Sequence, residues 1–267
     1  EFIKKLDKNF DSNAELLVKQ LVRAQMCIFR KENLTLSLTG EFNFKSLLEG
    51  EMLQFNRVLY EMPCVKAVPT FNMEKKNEGF KTASKVQYVA SGGCFEKEGQ
   101  EYTGALKVLK TIFSYDYLWV NVRVTGGAYG CMCSFSRNGY GFFTSYRDPN
   151  LSATLDVYKK AAEYVRNFEA GQRDMTKYII GTISGIDQPL EPAALGDRSF
   201  HAYQSGVTVE MIQKERNQVL DATEETIRSL AGYIETMMDA GTVCAIGNDR
   251  KLEEEKELFK QVSSLTQ

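Results

Sequence analysis

In YGCMCSFSRNGYGFFTSY, residues 129–146, two runs of alternating apolar and polar residues flank Asn138 and Gly139. Alternation at every second position is typical of β-strands. An Asn-Gly pair between two such runs is typical of a type I′ hairpin turn. The sequence therefore predicts an antiparallel β-hairpin with Asn138-Gly139 in its turn.

A predicted helix precedes this hairpin. The stretch YTGALKVLKTIFSYDYLW, residues 102–119, has apolar residues at helical spacing, and we extend the helix through about Val122 although the local residues favour a strand. Gly126 and Gly127 permit a tight change of direction and predict where the helix ends. Strands followed by blocks of helices indicate an α+β fold, with a mostly antiparallel sheet covered by helices on one face. A doubly wound α/β fold is the alternative.

Two parts of the chain have the same order of patterns. Residues 33–54 and 241–262 both read as a short strand, a glycine with an acidic residue, and a charged helix. In the first case a helix over 14–29 precedes the strand predicted at 33–40, and a second helix lies within 44–60. A segment with two prolines and no periodicity follows. We predict that 1–64 is the tail of one domain, 65–78 a linker, and 79–267 a complete related domain.

Composition excludes several classes of protein. Of the 267 residues, 43% are hydrophobic and 25% charged, which is typical of globular domains, and the balance of 33 basic and 35 acidic residues gives no field for nucleic acid. The chain has no apolar run long enough to cross a membrane and no signal-peptide core at its start. We expect a protein that is neither secreted nor membrane-spanning, with no nucleic-acid or membrane partner. Because residue 1 is not methionine, we also expect a piece of a longer protein.

Metal and nucleophile motifs are missing from the sequence. The single histidine, His201, cannot form a histidine zinc site or a catalytic triad by itself, and it is interpreted as a surface or partly buried helix residue. Cys131 and Cys133 are two residues apart, as on one face of a strand. The six cysteines are therefore interpreted as free thiols, most of them buried. We expect no metal site and no cofactor bound by this chain.

Arg123 and Tyr129 are the candidate site residues. They flank the Gly126-Gly127 pair, which is predicted to fold the guanidinium and the phenol toward one space. Both side chains donate hydrogen bonds and neither is a strong base, so together they suit binding a backbone carbonyl or stabilising an oxyanion. The alternative is an Arg that bonds to helix carbonyls and a Tyr that packs in the core.

Three segments resemble a known family. YLWVNVRVTGGAYG (117–130), SYRDPNLSATLDVY (145–158) and IIGTISGIDQPLEPAALG (179–196) resemble the last domain of the presequence-protease branch of the insulinase (pitrilysin) metallopeptidases. The resemblance covers most of 79–267. It implies a clamshell of four related α+β domains, with zinc held in the first by an HxxEH motif. It further implies that the last domain contributes an Arg and a Tyr, in the pattern RxxGGAY, that hold the substrate backbone. Arg123 and Tyr129 match that pattern, with Gly126 and Gly127 as the supporting loop.

HxxEH is absent from this chain, which departs from the family pattern there. The resemblance therefore implies a carboxy-terminal fragment that is inactive alone, with zinc in the parent protein. Its expected partners are the amino-terminal catalytic half and unfolded peptide substrates, in the bacterial cytoplasm or alternatively an organelle matrix. A non-catalytic peptide-binding or assembly subunit of the same superfamily remains the other function, although an intact Arg and Tyr favour the first.

Overall fold

The computed structural model describes residues 2–41, 43, 46, 49–61, 70, 74–96 and 100–265. The chain divides into two compact units, one of residues 1–72 with 190–206 and the other of 73–189 with 207–267. The predicted linker at 65–78 lies largely outside the described residues. The predicted boundaries 1–64 and 79–267 stay a prediction, and residues 190–206 group with the amino-terminal unit.

The strands and helices are as follows. The strands are β1 (Glu78–Thr82), β2 (Gln87–Cys94), β3 (Gly130–Phe135), β4 (Tyr140–Asp148), β5 (Thr242–Asn248) and β6 (Gln261–Ser264). The helices are α1 (Phe2–Lys8), α2 (Phe10–Ile28), α3 (Glu51–Arg57), α4 (Ala105–Ile112), α5 (Ser152–Arg166), α6 (Gln172–Ile186), α7 (Pro192–Gln204), α8 (Val209–Leu220), α9 (Glu224–Ser229), α10 (Ala231–Ala240) and α11 (Asp249–Glu254). None of the described helices is both long and apolar enough to cross a bilayer.

The amino-terminal unit contains α1, α2, α3 and α7. The helix predicted at 14–29 is confirmed within α2, and α3 lies in the predicted region 44–60. The strand predicted at 33–40 is wrong, since residues 34–39 have no regular structure. Alternating leucines are compatible with one face of a strand, but a strand also needs a neighbouring strand for its backbone hydrogen bonds. In the described residues nearby, the only β-bridge joins Arg30 and Tyr60. The repeat with 241–262 therefore fails at its strand, although β5 and α11 form as predicted.

The second unit is built on one sheet, in the order β3-β4-β2-β5-β1-β6. The pairings of β3 with β4, β4 with β2 and β2 with β5 are antiparallel, whereas β1 is parallel to β5 and to β6. This confirms the α+β class with a mostly antiparallel sheet and excludes the doubly wound alternative.

Helices cover one face of this sheet. Along β4, Phe143 is fully buried beneath the helices while its neighbour Phe142 is 43% exposed on the other face. The buried side is a continuous apolar core, to which α4, α5 and α10 contribute Leu106, Tyr158 and Met237. Each large apolar side chain buried there stabilises the fold by about 1.5–3 kcal/mol. In the described part of this unit the opposite face of the sheet carries exposed side chains, among them Phe142.

The hairpin of β3 and β4 is confirmed, but the predicted type I′ turn is wrong. Type I′ needs positive φ at both Asn138 and Gly139, and only Gly139 has it (φ 80°). The Gly139 amide donates to the Ser136 carbonyl (3.1 Å), and the Ser136 amide donates to the Tyr140 carbonyl (2.8 Å). The loop is therefore a β-turn in which Arg137 and Asn138 do not have positive φ, followed by Gly139 in the left-handed conformation. Arg137 lies at the tip of this turn.

Candidate functional site

Arg123 lies at the end of the long helix that begins at Ala105. Beyond Ile112 this helix widens to π-helical geometry over Phe113–Tyr117 and Trp119–Thr125, with the Gly126 amide donating to Asn121 five residues back (3.1 Å). π-Helical segments are rare and are frequently found at functional sites. The half-buried Arg123 stacks on the indole of Trp119, with 3.9 Å between its guanidinium carbon and the ring centroid. Trp119 therefore fixes the direction of the guanidinium.

The glycine pair ends this helix as predicted. Gly127 has φ 80°, a left-handed conformation that favours glycine, and its amide donates to the Arg123 carbonyl (3.0 Å). A Cβ atom on Gly126 would lie 2.6 Å from the Val122 carbonyl oxygen, so that position also requires glycine. The Asn150 side chain donates to the Gly126 carbonyl (2.6 Å). The loop between helix and strand is thus held from both sides.

Tyr129 directly precedes β3 and is 60% exposed. Its amide donates to the carbonyl of Arg147 on β4 (3.3 Å), and its ring meets the ring of Tyr146 edge to face (centroids 5.4 Å apart). The Arg147 guanidinium carbon lies 5.7 Å from the centre of the Tyr129 ring. The alternative in which Tyr129 packs in the core is therefore wrong, and the phenol is accessible to a ligand.

Arg123 and Tyr129, both described, are not in contact with each other through a hydrogen bond or a cation–π pair. Arg123 is paired with Trp119, whereas Tyr129 is paired with Tyr146 and Arg147. Sequence reasoning missed Trp119, whose spacing of four residues from Arg123 on a helix was a usable signal. It also missed Tyr146 and Arg147, whose proximity depends on strand pairing and could not be read from spacing.

The open face of the sheet continues from Tyr146. Exposed apolar side chains lie on it from four strands: Tyr88, Met132, Tyr140, Phe142 and Ile246. An exposed apolar patch of this kind is typical of an interaction surface. We call these five residues the open face.

The described residues do not fit a zinc ion. The described part contains no group of three or more His, Cys, Asp or Glu side chains placed to hold a metal. His201 lies exposed on α7. The five described cysteines form no disulfide, and burial raises the pKa of Cys131 to about 11 and of Cys133 to about 12, so both are protonated at neutral pH.

Comparison with known proteins gives the same family for most of the chain. Residues 77–249 match the model of the PreP C-terminal domain. The chain is 38% identical over 269 residues to Protein HypA of Clostridium perfringens, covering 99% of this chain and 27% of that protein. It is 30% identical over 250 residues to presequence protease 1, chloroplastic/mitochondrial, of Arabidopsis thaliana, covering 93% of this chain and 23% of that protein. The chain thus spans about a quarter of the length of these relatives.

Solved structures share the fold at low sequence identity. A peptidase M16 inactive domain from Pseudomonas fluorescens has a TM-score of 0.54 at 14% identity, over 81% of this chain and 52% of that one. A protease from Helicobacter pylori has a TM-score of 0.54 at 16% identity, over 78% and 54% of the two chains. The resemblance to insulinase-type metallopeptidases is therefore confirmed, and the chain belongs to the PreP C-terminal domain family.

Proposed function

We propose that this chain is the carboxy-terminal, non-zinc-binding part of a presequence-protease-like zinc metallopeptidase that degrades unfolded oligopeptides in a closed chamber. In this proposal it contributes Arg123 and Tyr129 as substrate-binding residues and is inactive alone. The observation that carries it is that both side chains offer unused donors, one on each side of the Gly126-Gly127 loop, in a chain of the PreP C-terminal family.

The chemistry of the pair supports a role on the substrate. A guanidinium offers five N–H donors in a fixed fork and a phenol offers one more, and neither takes a proton at neutral pH. Donors held in advance of the reaction are most effective where negative charge develops on a carbonyl oxygen. Arg123 and Tyr129 would therefore hold the peptide backbone and stabilise an oxyanion, while zinc belongs to the amino-terminal half.

The open face supports a role as a chamber wall. Its aromatic and aliphatic side chains are exposed without a covering helix in the described part of the unit. Extended peptides present apolar side chains that can be buried against such a surface. The relatives' names place presequence proteases in mitochondria and chloroplasts, and one relative is bacterial. We infer the bacterial cytoplasm for this protein, with an organelle matrix as the alternative.

The test is to replace Arg123 with Ala and Tyr129 with Phe in the full-length protein. If both donors act in the transition state, each variant should lose about 10² to 10³ in kcat, roughly 2–4 kcal/mol, with zinc content and melting temperature unchanged. Donors that serve substrate binding only would raise KM and leave kcat unchanged. Steady-state kinetics on an unfolded peptide, with metal analysis and thermal melts, give all four quantities.

Two matched controls use exposed residues of the same types away from the site. Tyr115 is exposed on the π-helical segment, and Arg250 is exposed on α11. Tyr115→Phe and Arg250→Ala should have wild-type kinetics. Unchanged kcat and KM in both Arg123→Ala and Tyr129→Phe would reject the proposal. A protein that is inactive even with its amino-terminal half intact would favour the non-catalytic peptide-binding or assembly subunit.

A further inference from the structure

Arg147 occupies an unusual backbone position. Val89 and Gln87 on β2 pair with Ser145 and Asp148 on β4, so β4 contains one extra residue between these two pairs. Such a bulge re-aims side chains, and bulges are frequent next to active sites. Arg147 within the bulge has φ 48°, and no other non-glycine residue of the described chain has a positive φ. A left-handed arginine persists only where its surroundings enforce it.

The surroundings of Arg147 do enforce this conformation. The next residue, Asp148, is fully buried, and its carboxylate accepts from the hydroxyls of Ser145 (2.6 Å) and Thr154 (2.7 Å). It also accepts from the amide of Asn150 (2.9 Å). The chain is therefore fixed immediately after the bulge. In regular alternation the residue after Tyr146 would face the helices, but the bulge leaves Arg147 exposed beside the Tyr129 ring instead.

Among described residues neither Arg147 nor Arg123 has a carboxylate or hydrogen-bond partner for its guanidinium. The Arg123 guanidinium stacks on the Trp119 ring, and that of Arg147 lies over the Tyr129 ring at 5.7 Å. The neighbouring Asp148 carboxylate is fully buried and already accepts three hydrogen bonds, so it forms no ion pair that would occupy either guanidinium. Planar guanidinium groups match carboxylates in a bidentate geometry, which a lysine cannot reproduce.

We propose that Arg147 is a third substrate-binding residue, which binds a carboxylate of the peptide beside Tyr129; this rests on the proposed function. The carboxylate is either the free carboxyl terminus of the peptide or an acidic side chain. In this arrangement Tyr129 and Arg123 bind the backbone, and Arg147 determines which peptides are preferred.

The test replaces Arg147 with Gly in the full-length protein. Glycine adopts positive φ without strain, so the variant should melt about 1–4 °C higher while losing the guanidinium. Turnover of three peptides is compared: one with a free carboxyl terminus and an internal Glu, the same peptide amidated at its terminus, and the same peptide with Gln for Glu. The variant should lose about 10- to 100-fold in kcat/KM for the parent peptide. Whichever neutral peptide lacks the recognised carboxylate should be cut equally by wild type and variant.

A second variant and a control separate the outcomes. Arg147→Lys keeps the charge but not the fork, so it should retain part of the preference, and Arg250→Ala should retain all of it. An equal loss on all three peptides, or no loss while Tyr129→Phe lowers turnover, would overturn the role of Arg147 alone. If Tyr129→Phe and Arg123→Ala are also without effect, both proposals are overturned.

Discussion

Arg137 and Arg147 lie at opposite ends of the same β-hairpin, and only Arg137 has a carboxylate partner. Arg137 donates two hydrogen bonds to the carboxylate of Glu215 on α8, from Nε to Oε1 (2.5 Å) and from Nη2 to Oε2 (2.8 Å). Arg147 instead lies beside the Tyr129 ring, without an ion pair in the described residues. A guanidinium that already has a carboxylate partner therefore serves the fold, whereas one without such a partner, on a backbone held in place, is available to a ligand.

Glu215 joins three parts of the unit. Glu215 is only 6% exposed, and its carboxylate also accepts a hydrogen bond from the Lys107 ammonium group of α4 (2.8 Å). Burial raises the pKa of Glu215, but the hydrogen bonds and charges of Arg137 and Lys107 outweigh it and hold the pKa below its usual value. The hairpin tip, α4 and α8 are therefore linked through one carboxylate.

The largest expected effect on stability comes from removing this carboxylate. Glu215→Ala leaves two partly buried cations without a partner and should lower the free energy of unfolding by about 3–5 kcal/mol. The folded fraction should keep its kcat, since the cluster does not touch the proposed substrate site. Urea unfolding beside steady-state kinetics checks both. A stable variant with lowered kcat would contradict the division between the two arginines.

A smaller effect is expected at the anchor of the bulge. Asp148→Asn keeps the shape of the side chain but weakens three hydrogen bonds to a buried carboxylate, and it should cost about 2 kcal/mol. Because the anchor also fixes Arg147, turnover should fall together with stability. Thr154→Val is the matched variant that removes a single one of these bonds, and its loss should be smaller in both measurements.

The pH dependence of stability should report Glu215. A carboxyl group whose pKa is lowered by folding stabilises the protein above its unfolded pKa, near the ordinary 4.5, and this contribution is lost as pH falls through the lower folded value. The difference in unfolding free energy between wild type and Glu215→Gln should therefore be constant from pH 7 to about 5.5 and shrink below about 4.5. A difference that grows on acidification would contradict the assignment.

The smallest effect is expected for a partnered arginine at the surface. Arg216 forms a bidentate ion pair with Asp187, and the side chains are 35% and 37% exposed. Water and salt screen such pairs, so Arg216→Ala should change the free energy of unfolding by less than about 1 kcal/mol. A loss comparable to that of Glu215→Ala would show that pairing alone, and not burial, determines the contribution.

The sequence correctly predicted those structural features that depend on residues close together along the chain. The hairpin and the helix up to the Gly126-Gly127 pair follow from local patterns, and helical geometry prevailed over strand propensity because the apolar residues pack against the sheet. The alternating pattern at 33–40 was not sufficient to predict a strand, because a strand also needs a neighbouring strand to pair with. The partner of Arg137 lies 78 residues away, and the bulge at Arg147 exists only against β2. Arg123 and Tyr129 were identified through the family pattern, but their contacts required the structure.

The π-helical segment makes the position of Arg123 tolerant of a change in chain length. A helix that switches from α to π geometry accommodates extra residues within the same axial distance, and each residue of an α-helix turns the chain by about 100°. Deleting one residue between Phe113 and Trp119 would therefore let the segment relax toward α-helical geometry while Arg123 keeps its direction, whereas the same deletion within Ala105–Ile112, which is already α-helical, would rotate Arg123 by about 100°. In evolution, a single-codon deletion in the π-helical segment would thus be tolerated by the site more readily than one a turn or two earlier in the same helix.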